Sequence, residues 1–567
     1  MYILGFNCNV YNSAACLIKD GEIIAAAQEE RFTREKNTGD FPKYSIEYCL
    51  REAGIGLGEV DHVSFHWRPF HHFPRRLLQI ASGLPDSVRF LNSHGGRFMQ
   101  MVTAPQILAR HFPVPVGQRK YRFHRVHHHV CHGSSAFFCS PYDEAAILTV
   151  DGSGEMASST LGIGRGQSVR LIQETFFPHS LGYLYVAMTH YLGFRPDSDE
   201  YKVMALASYG TPDLYDRFSR LVRLEKGGQY SLDLSYMAYQ KGIRDPWVSK
   251  RFVDEFGPPR RAGEPMEKRH EDIAWALQRR FEETVLHMAA ELYRKTGIKN
   301  LCYAGGSALN SVLNRRLQTE TEFTSVFVQP AANDAGTAIG SALFTYNQVC
   351  RSPRRVPMKH AYLGPAYNEA QCKEALDRAG VAYARLEGKE LLSKTVKLIA
   401  QGAVVGWMQG RMEMGPRALG NRSILADARR ADMKDIINEK VKHREGFRPF
   451  APAVLEERAQ EFFEMPVASS PYMLFVYGIK AGAMGSVPAV AHVDGTARVQ
   501  TVKRDVNPIF YDLIDAFGKE TGVPVLLNTS FNVMGEPIVC SPEDAVRCYL
   551  STGIDALVLG PFVVVKR

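Results

Sequence analysis

Residues 300–343 limit the fold more than any other stretch of the chain. NLCYAGGSALNSVLNRRL (300–317) reads as an apolar strand, a Gly-Gly turn and a helix, and SVFVQPAANDAGTAIGSAL (325–343) repeats that plan. Two such units in succession predict an α/β core whose ligands bind at strand ends. The chain has 567 residues, too many for one hydrophobic core, so two or more domains are expected.

Other segments fit this plan. YILGFN is followed by AACLIKDGEIIAAAQEE, where Asp20-Gly21 marks a hairpin turn between apolar stretches. VDHVSFHW (60–67), AAILTVDGSGE (145–155) and LIQETFF (171–177) read as strands, and residues 266–296 carry helical spacing. The basic, Pro-containing RSPRRVPMKHAYLGPAY (351–367) is the expected linker between a domain at 1–350 and one at 368–567. Beyond it, LLSKTVKLIAQGAVVGWMQG restarts the helix–strand pattern, and the last residues, ALVLGPFVVVKR, are strand-like. No tandem repeat is visible.

Composition narrows the function classes. Ten cysteines are scattered without a C-x-x-C pair, which argues against a zinc ribbon or thioredoxin motif and for buried thiols in a reducing compartment. The N-terminus lacks a basic leader, and no apolar run reaches about 18 residues, so a cytoplasmic protein without a membrane span is expected. The net charge of +8 suits phosphorylated small ligands as well as nucleic acid, and no long Lys/Arg run favours a polyanion.

The candidate chemistry starts at RVHHHVCHGSSAFF (125–138). On a helix, His128 and His132 share a face and could grip one metal ion; a hydrogen-bonded histidine cluster is the alternative. His62 and His66 have the same spacing in a strand pattern, where they would lie about 13 Å apart, and read as structural. DGSGE (151–155) and AGGSALN (304–310) place glycines after strands, which suits phosphate-binding turns and ordinary turns alike. Asp334 reads locally as a helix N-cap, with metal ligation the alternative. In the second half, Arg411, Arg417, Arg422, Lys440, Lys442, Arg444, Arg448 and Arg498 stand among Gly and Pro residues, and NTSFNVMGEPIV (528–539) adds amides and hydroxyls. Guanidinium forks match phosphate oxygens, so these segments predict a shaped anion pocket. Their lack of interleaved aromatics argues against nucleic acid.

Together these residues resemble a known family. EERFTREK (29–36), HHVCHGSSAF (128–137), DGSGE, LGYLY (181–185), EYKVMALASYG (200–210), AGGSALN, PAANDAG (330–336), GPRALGNRSILAD (415–427), FRPFAPAVL (447–455), VDGTARVQTV (493–502) and LNTSFNVMGEPIV (527–539) run in order along the chain. They resemble the O-carbamoyltransferases that include nodulation protein U and the aminoglycoside and cephalosporin carbamoyltransferases. The resemblance implies an N-terminal actin-like ATPase fold, similar to tRNA threonylcarbamoyl-transfer enzymes, joined to a C-terminal YrdC-like α/β domain. It implies a metal, usually iron, held by His128, His132 and Asp334, which displaces the N-cap reading of Asp334. From His/His/Asp alone, iron, manganese and zinc stay open.

The implied reaction has two stages. Carbamoyl phosphate and ATP give carbamoyl-adenylate in the second domain, and a small-molecule hydroxyl then attacks the carbamoyl carbon in the first. By motif, Arg448, Arg498, Asn528 and Ser530 would bind carbamoyl phosphate, while Arg417 and Lys442 would share the phosphate region. Lys36, Asp151, Gly306 and Asn310 would hold the nucleotide in the first domain, with Mg²⁺ as an accompanying ion. Arg417 and Arg448 would also act in catalysis, as would Tyr11 and Asn12. The family often reads H-D-A-S-A where this chain reads Tyr11-Asn12-Ser13-Ala14-Ala15, so both ionisable groups are replaced. Either another group takes the hydroxyl proton or the acceptor is unlike an aminoglycoside. No nucleic acid or membrane partner is expected, and a homo-oligomer is left open. The alternatives are a tRNA-modifying enzyme and a nucleotide-binding regulator without turnover.

Overall fold

The computed structural model describes residues 1–82, 87–241, 245–353 and 357–566. The chain is mixed α/β and divides into two units. The first comprises residues 1–29 and 37–358, the second residues 30–36 and 359–567. The division falls inside the linker expected at 351–367, of which 354–356 lie outside the described residues. The segment 30–36, read above as part of the first domain, belongs to the second unit.

The first unit is built on two five-stranded sheets of one design. In the first sheet, β1 (Tyr2–Asn7), β2 (Ala14–Lys19), β3 (Glu22–Gln28), β4 (His62–Phe65) and β5 (Arg122–Arg125) lie in the order β3-β2-β1-β4-β5. β1 to β3 form an antiparallel meander, and β4 and β5 run parallel to β1. The second sheet uses β6 (Glu144–Val150), β7 (Ala157–Arg165), β8 (Ser168–Phe176) and the strands Asn300–Ala304 and Ser325–Val328. Its order and strand directions are the same, with the two late strands parallel to β6. This duplication of topology leaves no repeat in the sequence, because a sheet asks only for apolar alternation and turn residues. The Asp20-Gly21 turn joins β2 to β3 with both residues at positive φ (51° and 86°), as a tight hairpin requires.

Each sheet's fifth strand leads to a helix, His128–Cys139 after β5 and Ala335–Phe344 after Ser325–Val328. AGTAIGSALF is a helix of small side chains, and Ala335 through Leu343 are all buried. Its smallness is required on two sides. A Cβ on Gly340 would stand 1.8 Å from the Cys131 carbonyl oxygen of the neighbouring helix. A Cβ on Gly5 of β1 would stand 2.1 Å from the Ala338 carbonyl oxygen. Backbone thus meets backbone where most helices keep side chains between them.

The second unit is a three-layer sandwich. Its eight-stranded mixed sheet runs through Val405–Met408, Arg422–Asp427, Val525–Ser530 and Ala451–Leu455 at the centre. Alternation in these strands splits the core. Val405, Trp407 and Leu425 face the helices Gly388–Ala400 and Pro508–Thr521. Met408, Ile424 and Ala426 face Glu369–Ala379 and Pro542–Leu550. All ten cysteines are unpaired, and all but the half-buried Cys350 are buried. Among the described residues, no helix is long and apolar enough to cross a membrane.

Gly340→Ala is expected to destabilise the protein by about 3 kcal/mol or more in chemical denaturation, because the added methyl forces two backbones apart. Gly482→Ala, where a Cβ meets nothing within 4 Å, serves as the neutral control, within about 0.5 kcal/mol.

Candidate functional site

The duplicated sheets bring four ligating side chains to one point. His128 and His132 lie one turn apart on their helix, Asp151 follows the end of β6, and Asp334 precedes the helix Ala335–Phe344. One ligand atom from each lies within 4.8 Å of all the others. Asp151 Oδ2 is 3.1 Å from His128 Nε2 and 3.2 Å from His132 Nε2, and Asp334 Oδ1 is 3.4 Å from both. The two Nε2 atoms are 3.1 Å apart. Such separations suit donors around one ion at bonds of about 2.0–2.2 Å. Asp334 Oδ1 is buried without a hydrogen-bond partner, which marks a site built for something other than hydrogen bonds. The donor set therefore fits a divalent metal ion. Asp334 stands at the N-cap position, but its side chain makes no cap hydrogen bond, so the local N-cap reading fails.

Support behind the ligands fixes His128. His66, at the end of β4, places Nε2 3.2 Å from the Cys8 carbonyl oxygen and Nδ1 3.2 Å from His128 Nδ1. With His66 Nε2 donating to that carbonyl, His66 Nδ1 accepts from His128, and His128 Nε2 is left with its lone pair toward the cluster. Glu155 accepts from the backbone N–H of His128 (3.1 Å) and of Arg68 (2.8 Å), and burial pushes its carboxyl up to about 7. Burial disfavours a charged His128, but Asp151 and Asp334 outweigh it and hold the ring up at about 10. His132 is raised by the same carboxylates against burial. Burial likewise opposes charge on Asp151, yet His128 and His132 hold it well below the usual carboxylate range. Two carboxylates here demand positive charge, which protons supply unless a metal ion does.

Asp151 does more than the nucleotide role read for it. Its Oδ2 belongs to the metal cluster, and its Oδ1 accepts from the Gly306 N–H at 3.1 Å. Gly305 turns at φ 97°, where a Cβ would strike the Val150 carbonyl oxygen at 2.2 Å. Asn310 caps the helix Ser311–Thr319 through the Leu313 N–H (3.1 Å) and exchanges hydrogen bonds with Gln278 at 2.9 and 3.1 Å. Its side chain is thereby spent on local structure. The Tyr11 hydroxyl donates to Asp197 Oδ2 at 2.6 Å, and the Asn12 carbonyl accepts from Asn7 Nδ2 at 3.1 Å.

The second unit gathers cations. Arg498 ends the strand Thr496–Arg498 and is held well below its ordinary pKa by burial and by Arg417, Arg444 and Arg448 around it. Lys442, buried at the end of a widened helical turn (Asn438–Lys442), is lowered by burial, with Arg444, Arg448 and Lys36 acting the same way. Its ammonium donates to the Ser530 carbonyl and, at 2.8 Å, to the carbonyl and the Oδ1 of Asn532. Ser530 Oγ donates to Asn532 Oδ1 at 2.7 Å, and Asn528 Nδ2 to Gln500 Oε1 at 2.8 Å. Buried cations that repel one another call for an anion to offset them.

Four readings need correction here. Lys36, read as part of the first domain, lies with the second unit, near Lys442. Its segment is fastened there because Arg31 donates to the Gly415 carbonyl (2.9 Å) and Arg34 to those of Ile538 (2.7 Å) and Pro537 (2.8 Å). Arg422 is fully buried and donates to the carbonyls of Gln409 (2.7 Å), Pro365 (3.0 Å) and Cys540 (3.3 Å), so it holds loops together. Arg411 likewise donates to Leu363 and Gly364 carbonyls at 2.7 and 3.2 Å. Lys440 is exposed. The sequence reading took His66 as structural and assigned no role to Glu155, Asn532 or Asp197. Glu155 and Asn532 had a signal in their places in DGSGE and NTSFNVMGEPIV, and Asp197 had none.

The first unit thus carries a cluster of metal-type donors and the second a cluster of buried cations. Residues 2–343 match the family model of the carbamoyltransferase N-terminus, and residues 396–566 that of the carbamoyltransferase C-terminus. The chain belongs to the carbamoyltransferase family, among the O-carbamoyltransferases that include nodulation protein U, and is a transferase. It is 42% identical to an uncharacterised protein of Synechocystis sp., covering 100% of this chain and 97% of that one. It is 40% identical to nodulation protein NolNO of Sinorhizobium fredii (99% and 80% covered) and 32% to nodulation protein U of Azorhizobium caulinodans (93% and 91%). Among solved structures, component A of (R)-2-hydroxyglutaryl-CoA dehydratase from Acidaminococcus fermentans aligns over 62% of this chain and 99% of that one. The identity is 15% and the TM-score 0.34, below the level at which two folds are equated.

Loading a divalent ion competes with protons for the rings of His128 and His132, which Asp151 and Asp334 hold above their ordinary pKa. Its affinity, measured by competition with a chelator, is expected to fall as pH drops from 8 to 6, by roughly 100-fold per unit at most. His66→Ala leaves all four ligands in place and is expected to cost roughly 10- to 100-fold in affinity at fixed pH.

Proposed function

We propose that this enzyme is an ATP-dependent O-carbamoyltransferase that makes carbamoyl-adenylate in its second unit and uses it in its first. The observation that carries the reading is the buried cation cluster of Arg417, Lys442, Arg444, Arg448 and Arg498. Carbamoyl phosphate and the ATP triphosphate both bring the negative charge it lacks. The eight-stranded unit is read as YrdC-like, and the duplicated sheets of the first unit support an actin-like ATPase fold.

Water first cleaves carbamoyl phosphate to carbamate and phosphate. A carbamate oxygen then attacks the α-phosphorus of ATP, and pyrophosphate departs. Guanidinium forks hold the phosphate oxygens in line, and Lys442 offsets charge as the β-phosphate leaves. Carbamate itself is a poor electrophile; adenylation gives its carbon a leaving group. In the first unit the acceptor hydroxyl attacks that carbon, forming the carbamate ester and releasing AMP. The turn at Gly305-Gly306 offers backbone N–H groups to the adenylate phosphate. His128, His132, Asp151 and Asp334 would hold a metal ion, which would supply Lewis-acid stabilisation of phosphate charge. Asp197, on which the Tyr11 hydroxyl rests, puts a carboxylate back beside a loop that lost its His-Asp pair, and it is the group we assign to take the acceptor proton. The acceptor is a small hydroxylated molecule.

Pyrophosphate release from ATP should depend on carbamoyl phosphate. Arg448→Ala and Arg498→Ala should each reduce it by about 100-fold or more while the protein stays folded. Release that ignores carbamoyl phosphate, or survives both substitutions, would remove the reading.

A further inference from the structure

A second histidine cluster lies outside the centre described above. His71 and His72 sit between β4 and the helix Phe73–Ser82, His127 follows β5, and Glu174 lies on β8. One ligand atom from each again lies within 4.8 Å of the others. His72 Nε2 is 3.3 Å from Glu174 Oε2, and His127 Nε2 is 3.7 Å from Glu174 Oε1. Two donors on a tetrahedral ion with bonds of about 2.0–2.1 Å stand about 3.3 Å apart. The rings of His72 and His127 lie 4.0 and 4.7 Å from that of His71, centroid to centroid.

These groups approach one another without hydrogen-bonding. His127 is 4% exposed, and both its ring nitrogens are buried with no hydrogen-bond partner. His72 Nε2 and Glu174 Oε1 share that condition. His72 Nε2, His127 Nε2 and Glu174 Oε1 stand at ion-pair distances without hydrogen-bond geometry, a costly arrangement for buried polar atoms that a bound ion would relieve. His72 is also held at φ 55°, a left-handed backbone that a non-glycine residue adopts at a cost of about 1–2 kcal/mol. The ring it presents is pinned edge-on against Phe176 (5.0 Å), whose other contact is the Arg75 guanidinium at 3.7 Å.

We propose that His71, His72, His127 and Glu174 form a second metal site, closed by four protein ligands, that takes a divalent transition ion of the zinc or cobalt class. Three imidazoles and one carboxylate select such an ion over magnesium or calcium, which prefer oxygen. A closed set points to a structural ion that clips the segment after β4 to β5 and β8. The two centres are neighbours through the chain, since His127 and His128 are adjacent and Glu155 Oε2 lies 3.2 Å from His127 Nε2 while accepting from the His128 N–H.

Cobalt(II) alone serves as the probe, added to metal-stripped full-length protein, with bound metal counted by mass spectrometry of the elements after gel filtration. The wild type should hold two cobalt ions per chain, and His72→Gln and Glu174→Gln one each. Asp334→Asn should hold one, with a visible cobalt ligand-field band that vanishes when His72→Gln is added. If Asp334→Asn does not fold, His132→Asn takes its place. Wild type with one ion that His72→Gln retains and Asp334→Asn loses overturns the site. So do His72→Gln and Glu174→Gln variants that keep two ions, even if they melt at a lower temperature without metal, since that would make the cluster a structural polar network.

Discussion

The active arrangement of the first unit depends on one close approach, the packing of the helix Ala335–Phe344 against the helix His128–Cys139. Gly340 meets the Cys131 carbonyl with no side chain between, and on the other face Gly5 of β1 meets the Ala338 carbonyl. Because both helices are held at backbone distance, Asp334 at the start of one comes within 3.4 Å of the two histidine rings on the other. The two helices occupy equivalent places in the two sheets, so the cluster of His128, His132, Asp151 and Asp334 is built where the halves of a duplicated fold meet. Small residues, which bury little apolar area themselves, are what allow this.

Each centre concentrates buried charge, carboxylates beside raised histidines in the first unit and several cations beside Glu445 in the second. In the first unit, Asp151 and Asp334 demand positive charge at a point from which water is largely excluded. In the second, Arg498 and Lys442 are buried among further cations. Neither arrangement stabilises the empty protein; each costs folding free energy that a ligand of opposite charge returns on binding. Arg422 shows the contrast. It is buried as deeply as Arg498, but its guanidinium is spent on backbone carbonyls, and it serves the fold.

Much of this was legible in the sequence. The strand–turn–helix pattern at 300–343 and the hairpin at Asp20-Gly21 appear where they were expected, because local alternation and turn chemistry decide them. His128 and His132 could be paired from helical spacing, while Asp334 needed the family resemblance, since its distance from them in sequence hides their contact. Asp151's membership of that cluster was hidden for the same reason. The placement of Lys36 went wrong because sequence order suggests that residue 36 travels with the strands around it. Three long-range hydrogen bonds from Arg31 and Arg34 decide otherwise. Arg411 and Arg422 look like the other arginines of their segment in sequence, and only their hydrogen bonds to backbone carbonyls show them to be loop fasteners. The duplicated sheet could not be seen at all, because topology is shared where residues are not.

The central claim is that activation and transfer are separate chemistries on separate units. It is tested most directly by quantifying carbamoyl-adenylate, by mass spectrometry, from ATP and carbamoyl phosphate with folded Asp334→Asn protein. The account predicts that the adenylate forms at close to the wild-type rate, because the cation cluster that makes it is untouched. Loss of adenylate formation in that variant would mean that the metal centre takes part in activation, and the assignment of the two steps would be wrong.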